Sequence, residues 1–131
     1  MFGSARTEGR PLAEPNFAAA DTGLLIDKEI RGGVLLYHFD GGFSMLNHVA
    51  LTKVVQEINA AAQRKVVMDL AAVRFMDSMG VGILVTVLKH ARSNGIEYSV
   101  VSNDVVDQIL GVTRLNKVIR LAHSLEEALR T

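Results

Sequence analysis

Val66-Val67-Met68-Asp69-Leu70-Ala71-Ala72-Val73-Arg74-Phe75-Met76-Asp77-Ser78-Met79-Gly80-Val81-Gly82 decides how the rest of this chain is read. Lys65 to Leu70 reads as an apolar strand ending in Asp69-Leu70, as expected of an inner strand in a mostly parallel sheet. A short connection follows, then the first turn of a helix, with Ser78 at its N-cap, Asp77 before it, and Gly80 and Gly82 in the turn. A hydroxyl there is held by the helix end. A phosphate added to it would meet the positive end of the helix dipole. Ser78 is therefore the candidate functional centre.

Working outward, Leu24 to Ile30 and Val34 to Phe39 read as a hairpin around the turn Arg31-Gly32-Gly33, and Asp40-Gly41-Gly42 breaks the pattern. Leu51, Val54, Val55, Ile58 and Ala62 recur at helical spacing, predicting a first helix from Asn47, its N-cap, to Ala62. The second helix runs from Met79 to about Ser93 and stops at Asn94-Gly95. Ile96 to Ser102 alternates as a strand. Asn103 or Asp104 caps a third helix through Leu110, closed by Gly111. Lys117 to Ala122 adds a last strand, and Ser124 with Glu127 forms a capping box for a terminal helix. The order ββαβαβα(βα) predicts one α/β domain over residues 22–131. Its sheet is mixed, mostly parallel and four- to five-stranded, with an opening hairpin and about four helices. Residues 1–21, broken by Gly3, Gly9, Pro11 and Pro15, read as a tail.

Composition narrows the function. The chain of 131 residues carries 14 basic and 14 acidic side chains, so no basic surface for nucleic acid is expected. Hydrophobic residues make up 49% with only 5% aromatic and no tryptophan, which favours an aliphatic core over an aromatic cofactor pocket. The absence of cysteine excludes disulfides and Cys-based metal sites, and no cofactor or metal is expected. Val81 to Leu88, the longest apolar run, falls far short of a membrane span, and Arg6, Glu8 and Arg10 interrupt any signal sequence. A cytoplasmic location is the expectation.

The glycines near Ser78 invite nucleotide motifs, but no lysine completes a P-loop and Val85 stands where a dinucleotide fingerprint has its third glycine. Close approach of the helix start to a neighbouring strand explains them instead. A hydrolase nucleophile elbow needs a glycine where Met76 stands, and His38, His48, His90 and His123 show no general-base setting, leaving a small serine hydrolase as a remote alternative. On the second helix, Leu84, Val87, Leu88 and Ala91, widened by Val81 and Val85, form the stripe for the sheet. Met79, Ile83, Thr86 and His90 fall opposite, with Gly82 beside them, as an outward apolar face beyond Ser78. Such a face suits a docking surface, and methionine adapts to a partner's contour.

Phe75-Met76-Asp77-Ser78-Met79-Gly80-Val81-Gly82 resembles the phosphorylation-site motif of STAS-domain anti-sigma factor antagonists, bacterial proteins that work by partner switching. The resemblance spans Thr22 to Leu129 and includes Asp69-Leu70 and Lys117-Val118-Ile119-Arg120. It implies a non-enzymatic transcription regulator. When unphosphorylated, such a protein binds an anti-sigma factor that is also an ATP-dependent serine kinase. Phosphorylation at Ser78 releases it, and a serine phosphatase resets it. The implied contacts are Asp77, Ser78, Met79, Gly80, Gly82, Ile83 and Thr86, with Ser44 in the loop after the second strand. Two departures stand out. Gly41-Gly42-Phe43-Ser44 puts a serine where the family has an aspartate near the acceptor, and Thr113-Arg114 replaces a small Ser-Gly pair. A STAS scaffold or lipid-transport subunit without phosphorylation is the alternative.

Overall fold

The computed structural model describes residues 23–130, and the tail expected over 1–21 lies outside them. Five strands, β1 (Leu24–Arg31), β2 (Val34–Phe43), β3 (Lys65–Met76), β4 (Glu97–Val101) and β5 (Arg120–Ala122), form one sheet in sequence order. β1 runs antiparallel to β2, and every later neighbour is parallel. Among the described residues there are four α-helices: α1 (His48–Ala60), α2 (Ser78–Asn94), α3 (Asp104–Val112) and α4 (Leu125–Arg130). The mixed, mostly parallel α/β fold with an opening hairpin is the one expected from the order of elements.

The strands are two-faced. Leu35, Tyr37 and Phe39 of β2, Val66, Met68 and Leu70 of β3, and Tyr98 and Val100 of β4 share the main core with Leu51, Val54 and Ile58 of α1, Leu84 and Val87 of α2, and Val106 and Leu110 of α3. Leu36, Val67, Val101 and Ala122 point to the other face, where Leu125, Ala128 and Leu129 of α4 cover them. Alternate residues of one strand thus feed two separate cores, which is why Val66-Val67-Met68 of β3 is apolar at every position.

Several boundaries differ from the expectation, each for a tertiary reason. The hairpin turn tightens to Gly32-Gly33, both at positive φ, because Arg31 still pairs with Val34. Asp40-Gly41-Gly42 does not end β2. The strand continues through two register irregularities to Phe43, with Gly41 at φ 125 and Gly42 N–H bonded to Gly23 O at 2.9 Å. That extension gives β3 a partner beyond Leu70, so β3 runs on to Met76 in register Gly42↔Phe75 and Phe43↔Met76. Asn47 precedes α1 but makes no side-chain cap; its Nδ2 donates to Gly42 O at 2.8 Å. A 3-10 turn, Met45–Asn47, comes first, and α1 ends at Ala60 rather than Ala62. Gly111 lies inside α3, and β5 is only the last three residues of the strand expected from Lys117.

Locally coded ends are where the sequence puts them. Gly95 terminates α2 in the left-handed conformation at φ 66. Asn103 caps α3, its Oδ1 accepting from Val106 N–H at 2.9 Å. Ser124 Oγ accepts from Glu127 N–H at 3.0 Å, and Glu127 Oε1 accepts in return from His123 N–H at 3.0 Å. This is a capping box whose return bond lands one residue early.

Candidate functional site

The site forms where the parallel strands end and α2 begins. Asp77 is extended, at φ −119 and ψ −170, and is itself the N-cap: its Oδ1 accepts from Gly80 N–H at 3.1 Å. Ser78, expected at the cap, is instead the first residue of α2. Aspartate and serine are both good caps, and the competition is decided by reach. The second carboxylate oxygen of Asp77 accepts from Met45 N–H at 3.0 Å, so one side chain fastens both the helix start and the loop after β2. A serine hydroxyl has a single oxygen and cannot join two backbone segments in this way with equal strength.

Ser78 is thereby released. Its side chain is exposed and makes no hydrogen bond to the described residues. Its own N–H and that of Met79 belong to the first turn, whose donors have no partner within the helix. An anion on the Ser78 hydroxyl would meet these donors and the helix dipole, with the Asp77 carboxylate as the opposing charge.

The glycines divide into two kinds. A Cβ on Gly80 would overlap the Phe43 carbonyl oxygen and crowd the Met76 and Phe43 side chains, so α2 starts in contact with the end of β2 only because residue 80 has no side chain. Gly82 faces open space. The close-approach explanation therefore holds for Gly80 alone.

The outward face of α2 also differs from the expectation. Ile83 is only 6% exposed and belongs to the main core, and Met79 is half-buried against it. α2 packs on the sheet and beside α1, so the buried arc wraps past the stripe that a sheet alone would cover. What remains outside is Ser78, Gly82, Thr86 and Lys89, followed by the last turn from Arg92 to Asn94, with Thr86 Oγ1 turned back to Gly82 O at 2.8 Å. Apolar exposure lies instead in the loop that Asp77 holds and in the first turn of α1 after it: Met45 is 56% exposed, Leu46 69% and Val49 72%. Sequence reasoning passed over these three; their signal was an apolar pair, Met45-Leu46, following a glycine break. Ser44 is fully buried and accepts from Leu46 N–H at 3.3 Å, capping the 3-10 turn. Any contact this loop makes with a partner thus runs through Met45 and Leu46 and not through the Ser44 side chain.

No histidine is directed at Ser78 by a hydrogen bond. His38 Nδ1 meets Asp69 Oδ2 at 2.8 Å, His48 Nδ1 lies 3.1 Å from Met45 O, His90 Nδ1 lies 3.2 Å from Asn94 Nδ2, and His123 Nε2 is 3.4 Å from Asp107 Oδ2. Among the described residues no group of three or more His, Asp or Glu is placed to hold a metal ion. No helix there is long and apolar enough to cross a membrane.

The family model described as the STAS domain matches residues 26–128, from the second third of β1 into α4. The chain belongs to the STAS domain family. A Thermotoga neapolitana protein provisionally named an anti-sigma factor antagonist is 29% identical to this STAS domain over 83 residues, covering 63% of this chain and 74% of the relative. The crystal structure of an anti-sigma factor antagonist from Mycobacterium paratuberculosis superposes with a TM-score of 0.75 at 24% identity, over 82% of this chain and 92% of that one. The anti-sigma factor antagonist SpoIIAA in its unphosphorylated form superposes at 0.64 and 18% identity, over 82% and 93%. At those two identities the likeness is one of fold. Within the STAS frame the Asp77-Ser78 step sits at the C-terminal end of the central strand, where β3 hands over to α2.

Proposed function

We propose that this STAS domain is an anti-sigma factor antagonist that switches partners through phosphorylation of Ser78. The observation that carries the reading is the division of labour at the start of α2. Asp77 takes the cap, and the Ser78 hydroxyl is exposed and free of bonds to the described residues. The loop that Asp77 ties to this helix start, with the first turn of α1 after it, exposes Met45, Leu46 and Val49, apolar side chains of the sort a protein partner covers.

The proposed partner is an anti-sigma factor that is also a serine kinase and brings its own ATP; a serine phosphatase reverses the step in the cytoplasm. Two effects of the phosphate oppose each other. The exposed dianion gains on the order of 0.3–1 kcal/mol from the helix end. A partner lying over the site would have to desolvate that dianion beside the Asp77 carboxylate, at greater cost. The fold survives phosphorylation and the complex does not. No catalytic role is proposed for Ser78, since the four histidines are engaged elsewhere.

The test is incubation with the cognate kinase and ATP, followed by peptide mass spectrometry and a pull-down comparing wild type, Ser78→Ala and Ser78→Asp. Phosphate on Ser78, with capture retained by Ser78→Ala and lost by Ser78→Asp, is the expected result. Phosphate on another residue, or equal capture of both variants, overturns the switch. A stable complex with a transporter ATPase and no phosphoserine would assign the domain to a scaffold role instead.

A further inference from the structure

A formal net charge of zero conceals a separation of charge along the domain. The parallel strands β2 to β5 begin, and helices α1 to α3 end, at the end of the domain away from Ser78. α2 runs 17 residues from Ser78 to that end, about 25 Å. Arg31 pairs with Val34, Val34 with Lys65 and Lys65 with Glu97, so four strands start or finish there in one row. Exposed cations come from nearly every segment of this end: Arg31 in β1, Arg64 before β3, Arg92 in the last turn of α2, and Arg114, Lys117 and Arg120 between α3 and β5. Carboxylates are fewer. Glu29 is bound to Arg31 at 2.7 Å, Glu97 stands 4.0 Å from Lys65, and Glu126 shares with Arg130 the groove where α4 borders Arg31.

The connection from α3 to β5 is the centre of this surface. Residues 111–120 hold three cations and no acid. Their backbone is fixed: Arg114 N–H donates to Gly111 O at 3.2 Å, Lys117 N–H to Arg114 O at 3.2 Å, and Ile119 N–H to Leu115 O at 2.8 Å. Among the described residues Arg114 is the only non-glycine at positive φ, 63. That conformation favours glycine, and an arginine kept in it at an exposed position points to a use for the side chain. Helix dipoles account for cations in the last turn of α2 and α4, Arg92 and Arg130, and not for those of this connection. Beside Arg114 and Lys117, Val112 is 82% exposed and Val118 is exposed as well.

We propose that this end of the domain docks on an anionic lipid surface, with Arg114, Lys117 and Arg120 among the headgroups and Val112 and Val118 against the acyl boundary. The docking does not rest on phosphorylation of Ser78. Three features select a bilayer. The cations are spread over the ends of several elements and do not converge on one pocket, as an extended flat charge requires. Their apolar neighbours are aliphatic, which suits the edge of the hydrocarbon, whereas unpaired bases call for aromatic platforms. Asp104 and Asp107 at the start of α3 and Glu127 in the first turn of α4 carry the opposite charge at the Ser78 end. The separation of charge thus turns the basic end to a negative surface and Ser78 away from it. A lipid-bound domain keeps Ser78 open to water and to a protein partner.

Vesicle flotation of the full chain tests the docking. Wild type is expected to bind phosphatidylcholine vesicles that contain phosphatidylglycerol, not phosphatidylcholine alone, and to leave them as salt is raised. Arg114→Gly and Lys117→Gln should each weaken binding about fivefold, and together on the order of 25-fold, as each cation near the surface contributes about that factor. Lys53→Gln in α1 should leave binding unchanged. Arg114→Gly relieves the left-handed backbone and should melt no lower than wild type, so its loss of binding is not a loss of fold. The chain has no cysteine, so an environment-sensitive dye on Val112→Cys should shift to the blue on the anionic vesicles, and the same dye on Met45→Cys should not. No binding to anionic vesicles, equal binding to neutral ones, an equal loss with Lys53→Gln, or an equal shift at Met45→Cys overturns the proposal. Tighter binding to duplex DNA at the same phosphate concentration also overturns it, by assigning the basic end to nucleic acid. No kinase enters these measurements, so their failure leaves phosphorylation of Ser78 standing.

Discussion

Asp77 Oδ2 accepts the backbone N–H of Met45 at 3.0 Å across 32 residues of chain. With Oδ1 capping α2 through Gly80 at 3.1 Å, this carboxylate joins the loop after β2 to the helix that carries Ser78. The loop that exposes Met45 and Leu46 is thereby fastened to the helix start that exposes Ser78.

Replacing Asp77 separates its two duties. Asp77→Ala removes both bonds and is expected to cost about 1–2 kcal/mol in denaturant unfolding. Asp77→Asn keeps one acceptor oxygen for the cap and puts a donor opposite Met45 N–H, so it should lose less stability yet speed hydrogen exchange at Met45 and Leu46. Equal stability loss in the two variants would contradict the tether.

Gly80 and Gly82, two residues apart in the same turn, should respond with opposite signs to alanine. Gly80→Ala drives a methyl into the Phe43 carbonyl and is expected to destabilise by about 1–3 kcal/mol. Gly82→Ala enters open space and should gain up to about 1 kcal/mol from helix propensity. Thermal unfolding of both variants checks the pair.

Ser78→Ala is expected to leave stability within about 0.5 kcal/mol of wild type, since the side chain is exposed and bonded to none of the described residues. A cap role for Ser78 would instead cost about 1 kcal/mol. Chemical denaturation thus discriminates between the two positions in the helix start.

Alkaline pH should unfold the domain through its tyrosines. Complete burial pushes the Tyr98 hydroxyl well above its ordinary pKa of 10.0. Burial, then the hydrogen bond and charge of Glu57 at 2.7 Å, pushes Tyr37 up as well. The native state keeps protons that the unfolded chain releases, so the stabilisation is full below the unfolded pKa near 10. It falls as pH rises above that value, by about 1.4 kcal/mol per pH unit for each tyrosine. Tyr98→Phe should halve the tyrosine part of that slope while costing about 0.5–1.5 kcal/mol at neutral pH for the lost bond to Leu84 O. Unfolding titrations between neutral and strongly alkaline pH measure both.

What the sequence determined by itself is whatever neighbouring residues decide among themselves. The apolar run of β3, the Asn94-Gly95 stop of α2 and the Ser124 to Glu127 box needed only periodicity, a left-handed glycine and a hydroxyl within reach of the next turn. The position of Ser78 at the strand-to-helix junction was legible for the same reason. Tertiary structure alone decided which residue caps that helix, because the choice between Asp77 and Ser78 turns on Met45, a donor far away in sequence. It also carried β3 on to Met76, since a strand ends where its partner ends, and β2 continues through its glycines. Ile83 went inside because α1 lies beside α2, a neighbour that helical periodicity does not reveal. Local chemistry set where Ser78 is; long-range contacts left its hydroxyl without a bond to the described residues.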